Sequence, residues 1–154
     1  MASEPDEARA KRGSNEEHVR GRRAGRRLAL ASVFEAEFGQ RTPDAILERH
    51  LSTEGDAEAS ALARELVANV VRNRDTLDAR ITAAAPQYPV VQLARMDRAL
   101  LRCGLSEVLH SAATPARVAI AEWVELARTY SGDPMRRLMN GVLGRVARDQ
   151  SATR

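Results

Sequence analysis

Hydrophobic positions recur along the chain at three- and four-residue intervals, and nowhere alternate with period two over a useful length. That spacing lines one face of an α-helix, whereas a strand would alternate its apolar side chains. Leu30, Val33, Phe34 and Phe38 define the face of a first helix that sets in at about Leu28 and that Gly39 ends. Thr42-Pro43, Thr114-Pro115 and Asp133-Pro134 each set a capping side chain before a proline, whose missing N–H is no loss at the first helical position. The first pair opens a short helix to about Leu51, and the stretch Glu58 to Ala84 repeats Leu62, Leu66, Val70, Leu77 and Ile81, with Asn73 interrupting the stripe. Pro86 and Pro89 break that helix. From Val91 to Leu109 apolar residues occupy several faces, which predicts the most buried element. Ile120, Trp123, Val124 and Ala127 mark the next helix, and Leu138, Met139, Val142, Leu143 and Val146 the last. The pattern predicts an all-α fold of about six or seven helices joined by loops of ordinary length.

Composition adds boundaries to this picture. The chain has 154 residues, near the size of one domain, and is 44% hydrophobic but only 3% aromatic, so Leu, Val and Ala must supply most of the core. Residues 1–21 mix charges with Gly and Ser and carry little that can be buried, so they are expected to form a disordered polar tail ahead of a single helical domain over 22–150. No apolar run reaches membrane-spanning length and the first residues carry no signal-peptide pattern, which predicts a cytoplasmic protein. Cys103 has no partner in the sequence for a disulfide or metal site and reads as a small core residue.

The net charge of +3 is mild, but Arg20, Arg22, Arg23, Arg26 and Arg27 fall within eight positions that hold no acid. Lys11 is the only lysine, so arginine is this chain's default cation and the cluster alone does not decide between a nucleic-acid contact and a solvated helix entrance. Guanidinium groups bond phosphate oxygens bidentately and stack on exposed bases, which suits single-stranded or looped RNA. No polar recognition helix stands out for duplex DNA.

Catalytic chemistry finds no constellation. His18, His50 and His110 lack the spacing of metal ligands, no glycine-rich phosphate loop is present, and the Glu122/Glu125 pair reads as a polar rim beside Trp123. No cofactor or metal is expected.

In the C-terminal half "RMDRALLRCGLSEVLH", "VAIAEWVELARTYSGD" and "LMNGVLGRVA" follow one another, and the opening "RRAGRRLALASVFEAEF" joins an arginine-rich motif to a first helix. Together, over about Arg22 to Ala147, these resemble the NusB family of bacterial antitermination factors. Gly141 and Gly144 lie within a predicted helix, where glycine is unfavourable, so a close helix crossing is expected there. The resemblance implies two antiparallel three-helix bundles, no enzymatic activity, and binding of boxA-type ribosomal RNA leader sequence together with NusE, a small-subunit ribosomal protein, on the transcription elongation complex. It implies RNA contacts from Arg22, Arg23, Arg26, Arg27, Arg136, Arg137 and Asn140, and a partner surface of Phe34, Asp97, Arg102 and Glu107. The residues themselves leave alternatives open: Phe34 lies on a core stripe, Asn140 can serve as a tertiary hydrogen bond, and the charges of Asp97 and Arg102 can simply face water. Ala31, Ser106, Leu138 and "GDPMRR" depart from the family's usual residues, which motivates a second reading as a helical interaction module, or accessory subunit of an RNA-modifying enzyme, without selective RNA binding. Homodimerisation is compatible with both.

Overall fold

The computed structural model describes residues 4–152, which form six α-helices and one 3₁₀ turn. They are α1 (Glu4–Ala36), α2 (Pro43–Leu51), α3 (Ala57–Ala84), the turn at Val90–Gln92, α4 (Arg95–His110), α5 (Ala116–Tyr130) and α6 (Asp133–Ala152). Helices α1, α2 and α3 pack into one antiparallel bundle and α4, α5 and α6 into a second; α4 joins the two by lying against both α3 and α1. The core is continuous across them, from Leu30 and Leu66 through Leu100 and Leu105 to Trp123 and Leu143. Every position of α4 from Ala99 to Val108 is buried, as expected for the helix with apolar residues all round.

Local signals account for the starts of α2 and α3. The Thr42 hydroxyl caps α2 by accepting from the Ala45 N–H, and Asp56 caps α3 by accepting from Glu58 and Ala59. Thr114 does not cap α5: its hydroxyl is taken by Arg22 of α1, and the helix begins after Pro115 with no side-chain cap. At Asn73 the backbone leaves helical values (φ −112°, ψ 16°) while its Nδ2 donates to the Asn69 carbonyl at 3.0 Å. A side chain bonded back to a carbonyl one turn earlier is a recognised cause of such a kink. The first helix ends at Ala36, earlier than its apolar stripe predicts. Phe38 falls in the turn before Gly39 (φ +82°) and is 55% exposed, edge-on to Phe34 and beneath the Arg95 guanidinium.

The polar tail is corrected by the structure. Residues 1–3 lie outside the described residues, but from Glu4 the chain is helical and continuous with the docked part of α1. Low hydrophobicity argued only against burial. Ala8, Arg9, Ala10, Lys11, Arg12, Glu16 and Glu17 are helix formers with a preformed helix to extend, so no separate nucleus is required.

The glycine expectation is also corrected. Gly141 is exposed with open space where a Cβ would stand, and Gly144 faces only Arg148 of its own helix, so neither makes a helix crossing. The close approach occurs at Gly25, where a Cβ would lie 2.8 Å from the Ala59 carbonyl oxygen of α3. Gly25→Ala therefore forces α1 and α3 apart and should lower stability by about 1–3 kcal/mol. Gly141→Ala should raise stability by up to about 1 kcal/mol by removing an exposed glycine from a helix interior. Urea midpoints of the two variants, read against the unsubstituted protein, check both signs.

Candidate nucleic-acid interface

The arginine cluster of α1 divides by helix face. Gly21 and Gly25 bring one side of α1 against α3, and that orientation turns Arg22 and Arg26 toward α4 while Arg20, Arg23 and Arg27 stay outside. Arg26 is only 2% exposed: its Nε and Nη2 each donate to a different oxygen of Glu107 at 2.8 Å. Glu107 is fully buried and also accepts from Trp123 Nε1 at 2.8 Å, with Arg22 Nη2 4.0 Å away. Burial by itself would raise the Glu107 carboxyl. The Arg26 hydrogen bonds and charge, with Trp123 and Thr114, overrule it and hold the group below the ordinary carboxylate range.

This arrangement corrects three sequence-based assignments. Arg26 is not available to grip RNA, because its side chain is buried with Nε and Nη2 bonded to Glu107 and Nη1 3.8 Å from a Glu122 oxygen. Glu107 is not on a partner surface. Nor is Arg102, which is buried with Nε and Nη2 on the two Asp78 oxygens at 2.9 Å each and Nη1 on Glu37 at 2.5 Å. Burial likewise opposes ionisation of Glu37, and Arg98 and Arg102 together keep its carboxyl low. Inside a bundle poor in aromatics, these charged groups tie α1 and α3 to α4. Ser106 is buried too, its hydroxyl without a partner among the described residues, so this departure lies in the core. Cys103 is a core residue as expected, its thiol pushed far up by burial and therefore inert.

What remains outside is an open groove of about 520 Å³ between α1 and α5. Arg23 and Arg27 line it from α1, together with part of the Arg26 side chain, and Glu122, Glu125, Leu126, Thr129 and Tyr130 line it from α5. Arg23 is exposed and bonded to Glu122 at 3.1 Å, whereas exposed Arg27 forms no ion pair among the described residues. The charge of Arg136, at the start of α6, is felt by Glu125 on the groove's lining. Arg136 and the exposed Arg137 are held by Asp133 at 2.7 and 3.3 Å. Asn140, the next turn along, is exposed. Ion pairs this exposed contribute little, so a polyanion can take over these arginines at small expense.

Tyr130 was not singled out in the sequence. It is 46% exposed and lines the groove together with Arg27, and its only sequence signal is its place one position before the α5–α6 turn. Phe34 is half-buried against the core, consistent with its apolar stripe, and Leu138 is half-buried likewise. Asp97 is half-buried at the start of α4 and accepts from the Ser131 hydroxyl at 2.7 Å, which ties that turn to the α5–α6 connection. Ala31 is exposed on α1.

Among the described residues no cluster of three or more His, Cys, Asp or Glu side chains is suited to a metal, and no helix is long and apolar enough to cross a membrane.

Comparison with known proteins agrees with this fold. A transcription antitermination protein NusB of Heliobacterium modesticaldum is 37% identical over 129 residues, covering 83% of this chain, although the match spans only 63% of that relative's length. Its counterpart in Symbiobacterium thermophilum is 35% identical over 136 residues, covering 82% of this chain and 89% of its own. Among solved structures, a crystal structure of antitermination factors NusB and NusE in complex with double-stranded RNA superposes with a TM-score of 0.74 at 21% identity, covering 84% of this chain and 98% of the other, a likeness of fold. The NusB family model matches residues 23–148. With most of its length matched by that model, and with the two-bundle fold to go with it, this chain belongs to the NusB family.

Proposed function

We propose that the protein is a non-catalytic RNA-binding transcription antitermination factor, taking boxA-type leader RNA together with a NusE-like ribosomal protein on the elongation complex. The observation that carries this reading is the division of the arginines: the buried ones satisfy carboxylates, while Arg23 and Arg27 stand free or weakly paired at an open groove that an exposed tyrosine also lines. Phosphate contacts from Arg23, Arg27, Arg136 and Arg137 supply affinity and steering. An unpaired base stacked on Tyr130 adds selectivity, which phosphate contacts do not provide. Arg22 acts from behind, held by Thr114 and near Glu107, and positions α1; Asn140 adds a polar contact at the far end.

The partner surface moves with the corrections above. Arg102 and Glu107 leave it, and the strip formed by Phe34, Phe38 and Arg95 at the junction of α1 and α4 takes their place, with Asp97 on the other side of the first turn of α4, at the α5–α6 connection.

Binding of boxA-like and scrambled RNA, with and without NusE, at several salt concentrations tests the reading. The element should be preferred, more so with the partner present. Arg27→Glu should weaken binding about tenfold and lower the salt slope by about 1, with the unfolding midpoint unchanged. Equal affinity for both RNAs under all conditions refutes the selective claim and favours the interaction-module reading.

A further inference from the structure

Because α1 is one uninterrupted helix from Glu4 to Ala36, residues far apart in sequence share a face. At about 100° per residue, Arg9, Arg12, Arg20, Arg23 and Arg27 fall within roughly 80° of one another around the axis. All five are exposed. Among the described residues, Arg9, Arg12, Arg20 and Arg27 form no ion pair, and Arg23 holds Glu122 only at the exposed rim. The stripe runs roughly 27 Å along the helix at 1.5 Å per residue. Glu16 is the one acid within it; Glu7, Lys11 and Glu17 lie to the sides or behind. The family model begins at residue 23, so Arg9, Arg12 and Arg20 stand outside the matched body.

We infer that the N-terminal half of α1 is a rigid basic track that carries RNA beyond the groove, with Arg9, Arg12 and Arg20 contacting phosphates flanking the segment bound on the bundle. This rests on the RNA-binding reading above. Continuity carries it: the arm's arginines are in register with Arg23 and Arg27, so a strand leaving the groove along α1 meets further guanidinium groups without turning. The arm is anchored where it must be. His18 pairs with Glu58, and Gly21 packs close to Asp56 and Glu58, so the helix axis is fixed at its base against α3. A lipid surface does not fit, since between Pro5 and Arg20 the only other apolar side chains are Ala8, Ala10 and Val19, too few for an apolar face.

The test uses the full chain and two RNAs: a short leader RNA carrying the boxA-like element, and the same RNA extended at both ends by unstructured uridylate. The triple variant Arg9→Gln, Arg12→Gln, Arg20→Gln keeps good helix formers at all three positions, and circular dichroism should show unchanged helicity. It should bind the short RNA as the unsubstituted protein does. On the extended RNA it should lose roughly tenfold in affinity at low salt, with the slope of log affinity against log salt reduced by about 2, three single-strand phosphate contacts at about 0.7 each. Lys11→Gln, which removes a cation from the other side of the same arm, should leave the slope unchanged. Equal slopes for the triple variant and the unsubstituted protein on the extended RNA overturn the track, as does a loss from Lys11→Gln equal to that from a stripe arginine. If the unsubstituted protein binds neither RNA, the RNA-binding reading fails instead.

Discussion

Glu107→Ala should lower the stability of the fold by about 3–5 kcal/mol, the largest single effect expected in the molecule. The substitution strands the Arg26 guanidinium where it is 2% exposed and leaves the Trp123 indole N–H without its acceptor. An unpaired buried charge is far more costly than the pair is favourable, so the double variant Arg26→Met, Glu107→Leu should recover most of the loss. The same carboxylate predicts a pH dependence. Its folded pKa is held below its unfolded value, so the stabilisation is complete above the ordinary carboxylate range and is lost as pH falls through the folded value. Urea unfolding should therefore show the unsubstituted protein losing stability below about pH 4, with the alanine variant flatter over that interval. The variant also tests how the arginines are divided. If Arg26 were an RNA contact, Arg26→Met combined with Glu107→Leu would abolish RNA affinity in a folded protein. With Arg26 internal, affinity should stay close to that of the unsubstituted chain.

Arg102→Met should destabilise by about 3 kcal/mol, for the mirror-image reason: it leaves Glu37 and Asp78 facing one another with only Arg98 to answer Glu37. Arg102→Lys should restore only part of the loss, because an ammonium cannot bond both Asp78 oxygens in the plane of a fork while also reaching Glu37. Without Arg102 the Glu37 carboxyl rises, so protonation relieves the defect at a pH where the intact protein is still ionised. The gap between variant and unsubstituted protein should thus narrow as pH is lowered from 7 toward 4. A gap that widens on acidification contradicts this account of the site. Both substitutions lie within the buried run of α4, five residues apart, and together they define what fastens the first bundle to the second.

The helices were legible because each leaves a local trace. Spacing of Leu, Val and Ile gave α3 and α6, the Thr42-Pro43 pair gave the start of α2, and even the kink at Asn73 shows as a break in a stripe. Arg23, Arg27, Arg136 and Arg137 were legible as surface cations for the same reason: they fall off the apolar face of their own helices. Arg26 and Glu107 were not. They are 81 residues apart, and nothing near either one in the chain announces the other. Tyr130 and the α1–α5 groove were invisible too, since a groove is made by two elements and belongs to neither. The helical arm before Arg20 is not legible in the composition, because low hydrophobicity excludes burial but not helical order.

By itself, then, the amino-acid order determined which segments coil, where each coil stops and that the chain carries an arginine-rich first helix, because helical periodicity and end capping are decided within a few residues. Which arginines are structural and which face outward was decided only when the helices packed, because Gly25 lets α1 settle against Ala59 at one rotation, and that rotation sends Arg26 inward to Glu107 and Arg27 out to water.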